Sequence, residues 1–314
     1  MTDKSHTALG KGPEFDAIRD MLHAWGSRAR GIGDDAAVIA TRGDRQLVIS
    51  TDTSVENVHF RRHWLKPREI GYRAAAAALS DLAAMGAEPM GLLCALAMPE
   101  SWRRDLDAVA EGVGDAAAAA GAPILGGDTS RGSELVITCT VLGSARDPIL
   151  RSTAQPGESL FLTGRLGGPF AALRMLEDGK EPVPAHRERF ARPVPRVREG
   201  VWLAEQGANA AIDISDGLAA DLSHMAAASG VRITVNLDHL PIVEAVTKLD
   251  AARSGEEYEL VVTARADLDV AEFRARFGVD LTDIGYVEEG APEVRFMIGG
   301  EPVEVPAGYL HFSK

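Results

Sequence analysis

The segment that sets the architecture of this chain is PREIGYRAAAAALSDLAAMG, residues 67–86. Pro67 suits the first turn of a helix, the alanines at 74–78 have high helix propensity, and Gly86 stands where a C-terminal cap is expected. The segment predicts a helix over about residues 68–85. An unpaired carboxylate would be costly to bury in this apolar helix, so Asp81 needs a cation or a set of hydrogen-bond donors.

Strand patterns flank this helix on both sides. Apolar runs over residues 36–40 and 46–50 precede it, and another over residues 90–97 follows it. A second alanine-rich helix is predicted over residues 101–120, and a strand over residues 135–142 completes this half. The alternation of strands and helices predicts helices packed on one face of a sheet.

The polar, proline-bearing stretch at 144–158 has the composition of a linker, so we place a domain boundary near residue 148. The second half continues with strands and helices, interrupted by a proline-rich basic stretch at 182–195 that is predicted to be a loop. The sequence thus predicts a two-domain chain of mixed α/β class. Residues 1–148 would form a sheet-based N-terminal domain, and residues 149–314 a C-terminal α/β sandwich.

Composition excludes several classes of protein. Of 314 residues, 46% are hydrophobic and 25% are charged, close to the average of globular proteins. The formal net charge of -13 disfavours nucleic acid and anionic membrane surfaces as partners. The longest apolar stretch, residues 90–98, is too short to span a bilayer, and residues 1–15 lack the apolar core of a secretory signal. We therefore expect a cytoplasmic protein.

The motifs of P-loop, Rossmann, zincin and α/β-hydrolase sites are absent from the sequence. Its two cysteines, Cys94 and Cys139, lie inside apolar runs and have no zinc-binding spacing. We interpret both as reduced core residues.

Aspartates recur where apolar strands end, next to Gly, Ser or Thr. They are Asp34, Asp35, Asp52, Asp128, Asp213 and Asp216. Each one alone is equally well explained as a turn or helix-capping residue. Together with Asp81 they form a set of hard oxygen ligands without His or Cys, which selects Mg²⁺, Mn²⁺ or Ca²⁺. Magnesium held by a few carboxylates and completed by substrate phosphates indicates phosphoryl transfer.

Other candidate residues have two interpretations each. His59 is either a packed residue or part of a site. Arg151, Arg192 and Arg196 either clamp phosphate or are solvated loop residues. The acidic residues around Tyr258 either attract a cationic ring or form an exposed turn.

At these residues the sequence resembles the thiamine-monophosphate kinases over nearly the whole chain. The motifs that carry the resemblance are GIGDDAA at 31–37, STD at 50–52, VENVHF at 55–60, LSDLAAMG at 79–86, GGDT at 126–129, RPVPR at 192–196 and DISDGL at 213–218. The superfamily of these kinases also holds aminoimidazole ribonucleotide synthetase, selenophosphate synthetase and a hydrogenase maturation protein. The resemblance implies magnesium-assisted, in-line transfer of the γ-phosphoryl of ATP to thiamine monophosphate, giving thiamine diphosphate. It also implies a homodimer paired through its N-terminal sheets, with ATP between the two domains.

The resemblance further implies roles for single residues. The family's magnesium ligands, which hold several ions, correspond to Asp35, Ser50, Thr51, Asp52, Asp81, Asp128, Asp213 and Asp216. Its ATP contacts fall on Gly127, Asp128, Arg151 and Ser215, and its substrate contacts on His59, Glu256 and Tyr309. No catalytic residue is expected beyond the metal ligands, because the acceptor phosphate is already ionised at neutral pH and needs no general base.

The chain departs from the family pattern in two motifs, and in one of them Asn57 stands where glycine is common. Where the family usually has Gly-Gly-(Asp/Glu)-Asp-Tyr-Glu-Leu, residues 254–260 are SGEEYEL, so Ser254 replaces a glycine and Glu257 an aspartate. Two alternatives stay open, and these changes motivate the first of them. One is a non-catalytic protein that binds thiamine phosphates, and the other is a different ATP-dependent enzyme of the same superfamily.

Overall fold

The computed structural model describes residues 6–306 and residue 308, so Tyr309, the expected aromatic substrate contact, lies outside the described residues. The first half contains a helix before the first strand and then alternates between strands and helices. Its elements are α1 (Pro13–Trp25), β1 (Ala37–Ile39), β2 (Gln46–Val55), α2 (Pro67–Ala84), β3 (Glu88–Met98), α3 (Leu106–Ala119), β4 (Ile124–Arg131) and β5 (Val136–Ala145). The strands form a five-stranded sheet in the order β1-β2-β5-β3-β4.

The second half forms a seven-stranded sheet with helices around it. Its elements are β6 (Ser159–Thr163), α4 (Gly168–Glu177), α5 (Pro184–Ala191), α6 (Val197–Glu205), β7 (Ala210–Asp213), α7 (Leu218–Ser229), β8 (Arg232–Asn236), α8 (Lys248–Ala252), β9 (Leu260–Ala264), α9 (Val270–Phe277), β10 (Leu281–Glu288), β11 (Glu293–Ile298) and β12 (Glu301–Val303). The strand order is β12-β11-β8-β10-β6-β9-β7. Two sheets with alternating helices confirm the mixed α/β class, whereas the boundary near residue 148 stays a prediction.

Several elements differ from the sequence-based expectation. The predicted α2 is confirmed, but α3 begins at Leu106, because residues 100–102 form a separate 3₁₀ turn. The proline-rich stretch at 182–195 was wrongly predicted to be all loop, since Pro184 occupies the first turn of α5. Strand β4 was missed, because its two central glycines have low strand propensity.

Helix α2 is the centre of the molecule. Fourteen of its residues are buried, and it packs against α3, β2 and β5 of the first half and against α6 and β7 of the second. The alanines at 74–78 keep these neighbours close, since a larger side chain would separate the layers. Near its C-terminal end, Ala83 and Ala84 belong to the same apolar cluster as Trp202 of α6. The helix therefore connects the two halves.

Two glycines bring α2 and α3 into backbone contact. A Cβ atom on Gly71 would lie 2.0 Å from the carbonyl oxygen of Val109, and one on Gly112 would lie 1.9 Å from that of Arg68. Real Cβ atoms do not approach so closely, so any side chain at these positions would force the helices apart.

We predict that Gly112→Ala lowers the free energy of unfolding by about 2 kcal/mol or more, because it overpacks this contact. Gly114→Ala in the same helix is the matched control, since its added Cβ has no neighbour within 4 Å beyond the adjoining backbone of its own helix. That variant should gain about 0.5–1 kcal/mol from helix propensity. Urea unfolding of both variants measures the difference, and equal stabilities would contradict the close packing.

The first sheet has one buried face and one open face. Ile137, Cys139 and Val141 of β5 point to the helices and are fully buried. Edge strand β4 is exposed along its whole length, and Leu93 and Leu125 are 37% and 55% exposed. No helix in the described part of the chain is long and apolar enough to cross a membrane.

Candidate active site

Three aspartates from three elements meet where the two halves join. Asp35 precedes β1, Asp81 lies on α2 and Asp213 ends β7, and oxygen atoms of the three carboxylates lie within 4.8 Å of one another. The side chain of Asp35 is 3% exposed, and Asp213 as a whole is 4% exposed. We call these residues the three-aspartate cluster.

The electrostatics of the cluster favour a bound cation. Burial, then the charges of Asp213 and Asp35, raise the pKa of Asp81 well above its usual range. Burial and the charge of Asp35 raise the pKa of Asp213 to about 7. Burial also raises the pKa of Asp35, although the Arg151 guanidinium acts against it. A divalent cation removes this repulsion, and carboxylate oxygens without His or Cys fit Mg²⁺.

Two serine hydroxyls fix the orientation of these carboxylates. Ser50 on β2 donates a hydrogen bond of 2.5 Å to Asp81, and Ser80 on α2 donates one of 2.6 Å to Asp213. Sequence reasoning found Ser50 but missed the role of Ser80, which is fully buried. The signal was present, because a buried serine within an alanine-rich helix needs a hydrogen-bond partner.

Strand β2 presents only some of its predicted ligands to the cluster. Ser50 and Asp52 are two residues apart and both lie on the face of β2 towards α2. On that face Asp52 pairs in register with the buried Cys139. The Thr51 hydroxyl lies on the opposite face, 3.0 Å from the hydroxyl of Thr140. Thr51 lines the cavity described below, so the part of it available there is its backbone.

Arg151 is anchored beside the cluster. Its guanidinium donates to both carboxylate oxygens of Asp35, at 2.6 and 3.3 Å, and its backbone N–H donates to Asp34 at 2.7 Å. Arg151 lines a crevice together with Ser215 and Asp216. The two predicted ATP contacts Arg151 and Ser215 therefore lie on one side of the cluster.

A further aspartate holds the turn that carries Ser215. Asp221 on α7 accepts hydrogen bonds from the backbone N–H groups of Ser215, at 3.2 Å, and Gly217, at 3.0 Å. It is 2% exposed, and burial together with the charges of Asp216 and Asp213 raises its pKa well above the usual range. Sequence reasoning missed it, although an acidic residue in the first turn of a helix commonly binds free N–H groups.

A cavity of about 680 Å³ extends from the cluster and is lined by both halves of the chain. Asp52, Asp81 and Asp216 line its acidic end. His59 and Glu256, the two predicted substrate contacts within the described residues, line another part of its wall. The structure therefore brings most of the expected metal ligands and both described substrate contacts to one cavity, whereas Ser215 is the one expected ATP contact that lines it.

The segment around Glu256 is not an exposed acidic turn, because residues 257–259 are buried and the side chain of Glu256 is 27% exposed. Glu256 forms an ion pair with Arg73, whose guanidinium lies over the ring of Phe190 at 4.2 Å from the ring centroid. Glu256 and Tyr258 both have left-handed backbone conformations, with φ values of 58° and 53°. Neither residue is a glycine, so surrounding contacts must hold this conformation.

Ser254 and Glu257, which replace a glycine and an aspartate of the family motif, contact each other. The Ser254 hydroxyl donates to Glu257 at 2.6 Å, and the other carboxylate oxygen of Glu257 accepts from Arg189 at 2.9 Å. The backbone N–H of Gly167, at the start of α4, also donates to Glu257. Burial raises the pKa of Glu257 to about 7. These contacts tie the loop of Glu256 to the body of the second half.

Arg196 is held by a buried carboxylate and is not a solvated loop residue. Its guanidinium donates to both carboxylate oxygens of Glu259, at 2.7 and 2.6 Å, and its side chain is 12% exposed. Although burial acts against it, Arg196 holds the pKa of Glu259 below its usual value. The guanidinium of Arg192 lies over the ring of Tyr72, 4.4 Å from the centroid.

Asp128 lies apart from the cluster. In the described chain, Gly127 and Asp128 line a second cavity of about 400 Å³, together with Ala110 and Val113 of α3. Both belong to the exposed edge strand β4. A single chain therefore does not bring Asp128 to the other predicted metal ligands.

The chain matches two families along its length. The family model of the AIR synthase related protein, N-terminal domain, matches residues 33–145, and that of the C-terminal domain matches residues 155–297. The chain is 37% identical to the thiamine-monophosphate kinase of Bacillus subtilis (strain 168), over 88% of this chain and 91% of that protein.

Solved structures agree with these matches. One is AaThiL complexed with AMPPCP and TMP, with a TM-score of 0.82 and 30% identity, covering 95% of this chain and 97% of that chain. Another is thiamine-monophosphate kinase from Stenotrophomonas maltophilia K279a, with a TM-score of 0.76 and 35% identity, covering 94% and 98%. Because sequence and fold agree over both halves, the chain belongs to the thiamine-monophosphate kinase family of AIR synthase related proteins.

Proposed function

We propose that this chain transfers the γ-phosphoryl group of ATP to the phosphate of thiamine monophosphate and so forms thiamine diphosphate. The observation that carries the proposal is the three-aspartate cluster, which lies at a cavity lined by both halves. Relatives named thiamine-monophosphate kinase and the AaThiL complex with AMPPCP and TMP support it.

The donor set of the cluster fits magnesium, and we assign Asp35, Asp81 and Asp213 as its central ligands. Ser50, Asp52 and Asp216 lie at the same cavity and are proposed to complete the set. Bound magnesium supplies the positive charge that neutralises the donor and acceptor phosphates.

The residues of the chain orient the reactants and hold the ligands in place. The hydroxyls of Ser50 and Ser80 fix two carboxylates before substrate binds, so little reorganisation is needed during transfer. Arg151 and Ser215 are proposed to contact ATP from the crevice beside Asp35. No group of the chain has to remove a proton, because the acceptor phosphate is already ionised at neutral pH.

The wall around Glu256 is proposed to hold the cationic ring of thiamine monophosphate. Tyr258, Phe170 and Phe190 line the same cavity, and aromatic faces attract cations. The guanidinium groups of Arg253 and Arg73 already lie over one face of Phe170 and Phe190, so Tyr258 and the second faces of these rings are the ones available. The Glu256 carboxylate adds negative charge there, although Arg73 neutralises part of it. His59 also lines the wall, and its Nδ1 accepts a hydrogen bond of 3.0 Å from the backbone of Val55, which fixes the ring.

We predict that the purified chain, with ATP and Mg²⁺, phosphorylates thiamine monophosphate and not thiamine. The monophosphate brings an ionised nucleophile and oxygens that bind metal, whereas the hydroxyl of thiamine would need a base. Chromatographic product analysis with each acceptor tests this expectation. Efficient use of thiamine would contradict the proposal, and binding of the monophosphate without ADP release would favour the non-catalytic alternative.

We predict that Asp213→Asn lowers kcat by at least about a hundredfold, because it removes a metal ligand while keeping the volume of the side chain. The variant should fold, since its amide relieves the repulsion within the cluster. The exposed Asp107→Asn on α3 is the matched control and should keep wild-type turnover. Near wild-type turnover of folded Asp213→Asn at saturating Mg²⁺ would contradict the ligand assignment.

We also propose a homodimer that pairs through the first sheet. Edge strand β4 is exposed along its whole length, and apolar Met90, Ile124 and Leu125 are about half exposed near it. Pairing would cover this edge and bring Asp128 next to another chain. The two free thiols, Cys94 and Cys139, support a cytoplasmic location, which stays a prediction.

Light scattering should give twice the chain mass of 33.3 kDa. Leu125→Lys should shift the mass towards the monomer, because it places a charge in the proposed interface. Val183→Lys, at a similarly exposed apolar residue of the second half, should leave the mass unchanged. A monomeric wild-type chain at micromolar concentration would refute the dimer.

A further inference from the structure

The two cysteines of the chain face each other across neighbouring strands. Cys94 on β3 and Cys139 on β5 are direct partners in the antiparallel register, and both thiols are free. Residues directly opposite in such a pair have Cα atoms about 4.5–5.5 Å apart and point to the same face. Disulfides join Cα atoms about 4.4–6.8 Å apart, so these two thiols lie within bonding range of each other.

The two thiols differ in access to solvent. Cys139 is fully buried in the core, whereas Cys94 is half-buried and lines the cavity of about 400 Å³ next to Gly127 and Asp128. A hydrogen bond with the Cys139 thiol lowers the pKa of Cys94, although burial acts in the opposite direction, and the same hydrogen bond together with burial raises the pKa of Cys139. In a single chain a small reagent can therefore reach Cys94 through this cavity, beside the β4 edge that the proposed dimer covers, and Cys139 is in place to react with the product.

We propose that Cys94 and Cys139 form a modification site at which a peroxide creates a reversible disulfide within one chain. The Cys94 thiol releases its proton and the thiolate attacks one peroxide oxygen. The O–O bond breaks and the departing hydroxide takes up that proton, so a sulfenic acid and one water form. The Cys139 thiol then attacks the sulfenic sulfur and releases a second water. Two thiols lose two electrons and two protons in total, hydrogen peroxide becomes two waters, and an external dithiol reverses the change by exchange.

The two cysteines belong to a row of residues paired across the strands of the first sheet. This row includes Asp52, a proposed metal ligand, and Gly127, an expected ATP contact. Across the sheet the register runs from Asp52 to Cys139, Cys94 and Gly127. A Cβ atom on Gly127 would lie 1.8 Å from the carbonyl oxygen of Cys94, so β3 and β4 are in backbone contact there. We expect a shift of β3 to displace Gly127 and Asp128, so the disulfide lowers kinase activity. This consequence rests on the proposed function.

The test treats the reduced full-length chain with hydrogen peroxide, blocks the remaining thiols and measures the intact mass. The expected result is a loss of two hydrogen atoms, no blocked thiol, and a peptide pair linked through Cys94 and Cys139. Dithiothreitol should restore both thiols. Cys94→Ser is the matched control and should not lose the two hydrogens, and Cys139→Ala should instead stop at a trappable sulfenic acid on Cys94.

A peroxide-treated chain that keeps both thiols, or that forms only links between chains, would overturn the site. Kinase activity of the same samples tests the consequence separately. Activity should fall on oxidation and return on reduction in the wild type, and Cys94→Ser should be insensitive. Full activity in the oxidised chain would refute the coupling to β4, whereas an inactive reduced chain would count against the proposed function and leave the mass result decisive for the disulfide.

Discussion

The repulsion among three buried carboxylates is the constraint on which the structure depends. Asp35, Asp81 and Asp213 come from parts of the chain that are far apart in sequence, yet their oxygens lie within 4.8 Å of one another. Such an arrangement opposes folding unless packing elsewhere holds it. Helix α2 provides that packing, because its small residues allow α3, α6 and both sheets to close around it. A carboxylate cluster of this kind favours the binding of a ligand that brings positive charge.

The same helix explains why the two halves meet where the chemistry is proposed to occur. A Cβ atom on Gly200 of α6 would lie 2.1 Å from the carbonyl oxygen of Ala83, so the second half touches the backbone of α2 one turn beyond Ser80 and Asp81. Ser80 donates to Asp213 of the second half, while Asp81 accepts from Ser50 of the first. Two adjacent residues thus link both halves to the cluster, and a cation bound there would strengthen the junction.

The sequence predicted those features whose cause is local. The helix propensity of residues 67–86 and the cost of burying a carboxylate were enough to identify α2 and Asp81. The partners could not be predicted by the same reasoning, because Ser80 and Asp213 are 133 residues apart. The orientation of Thr51 depends on the register of β2 with β5, and Arg196 finds Glu259 only in the folded chain. Spacing in a motif indicates that residues act together, but it does not give the direction of each side chain.

The loop that carries Glu256 shows how a departure from a family motif can be accommodated. Left-handed conformations at Glu256 and Tyr258 cost about 1–3 kcal/mol each where glycine is absent. Glu257 and Glu259 alternate with Glu256 and Tyr258 along this segment, and both are buried. Ser254 and Arg189 bind Glu257, and Arg196 binds Glu259. The longer side chain of Glu257 reaches both Arg189 and the backbone of Gly167, and Ser254 supplies a further donor. The shape of the cavity wall is therefore held by buried ion pairs, so the two changes act as one structural unit.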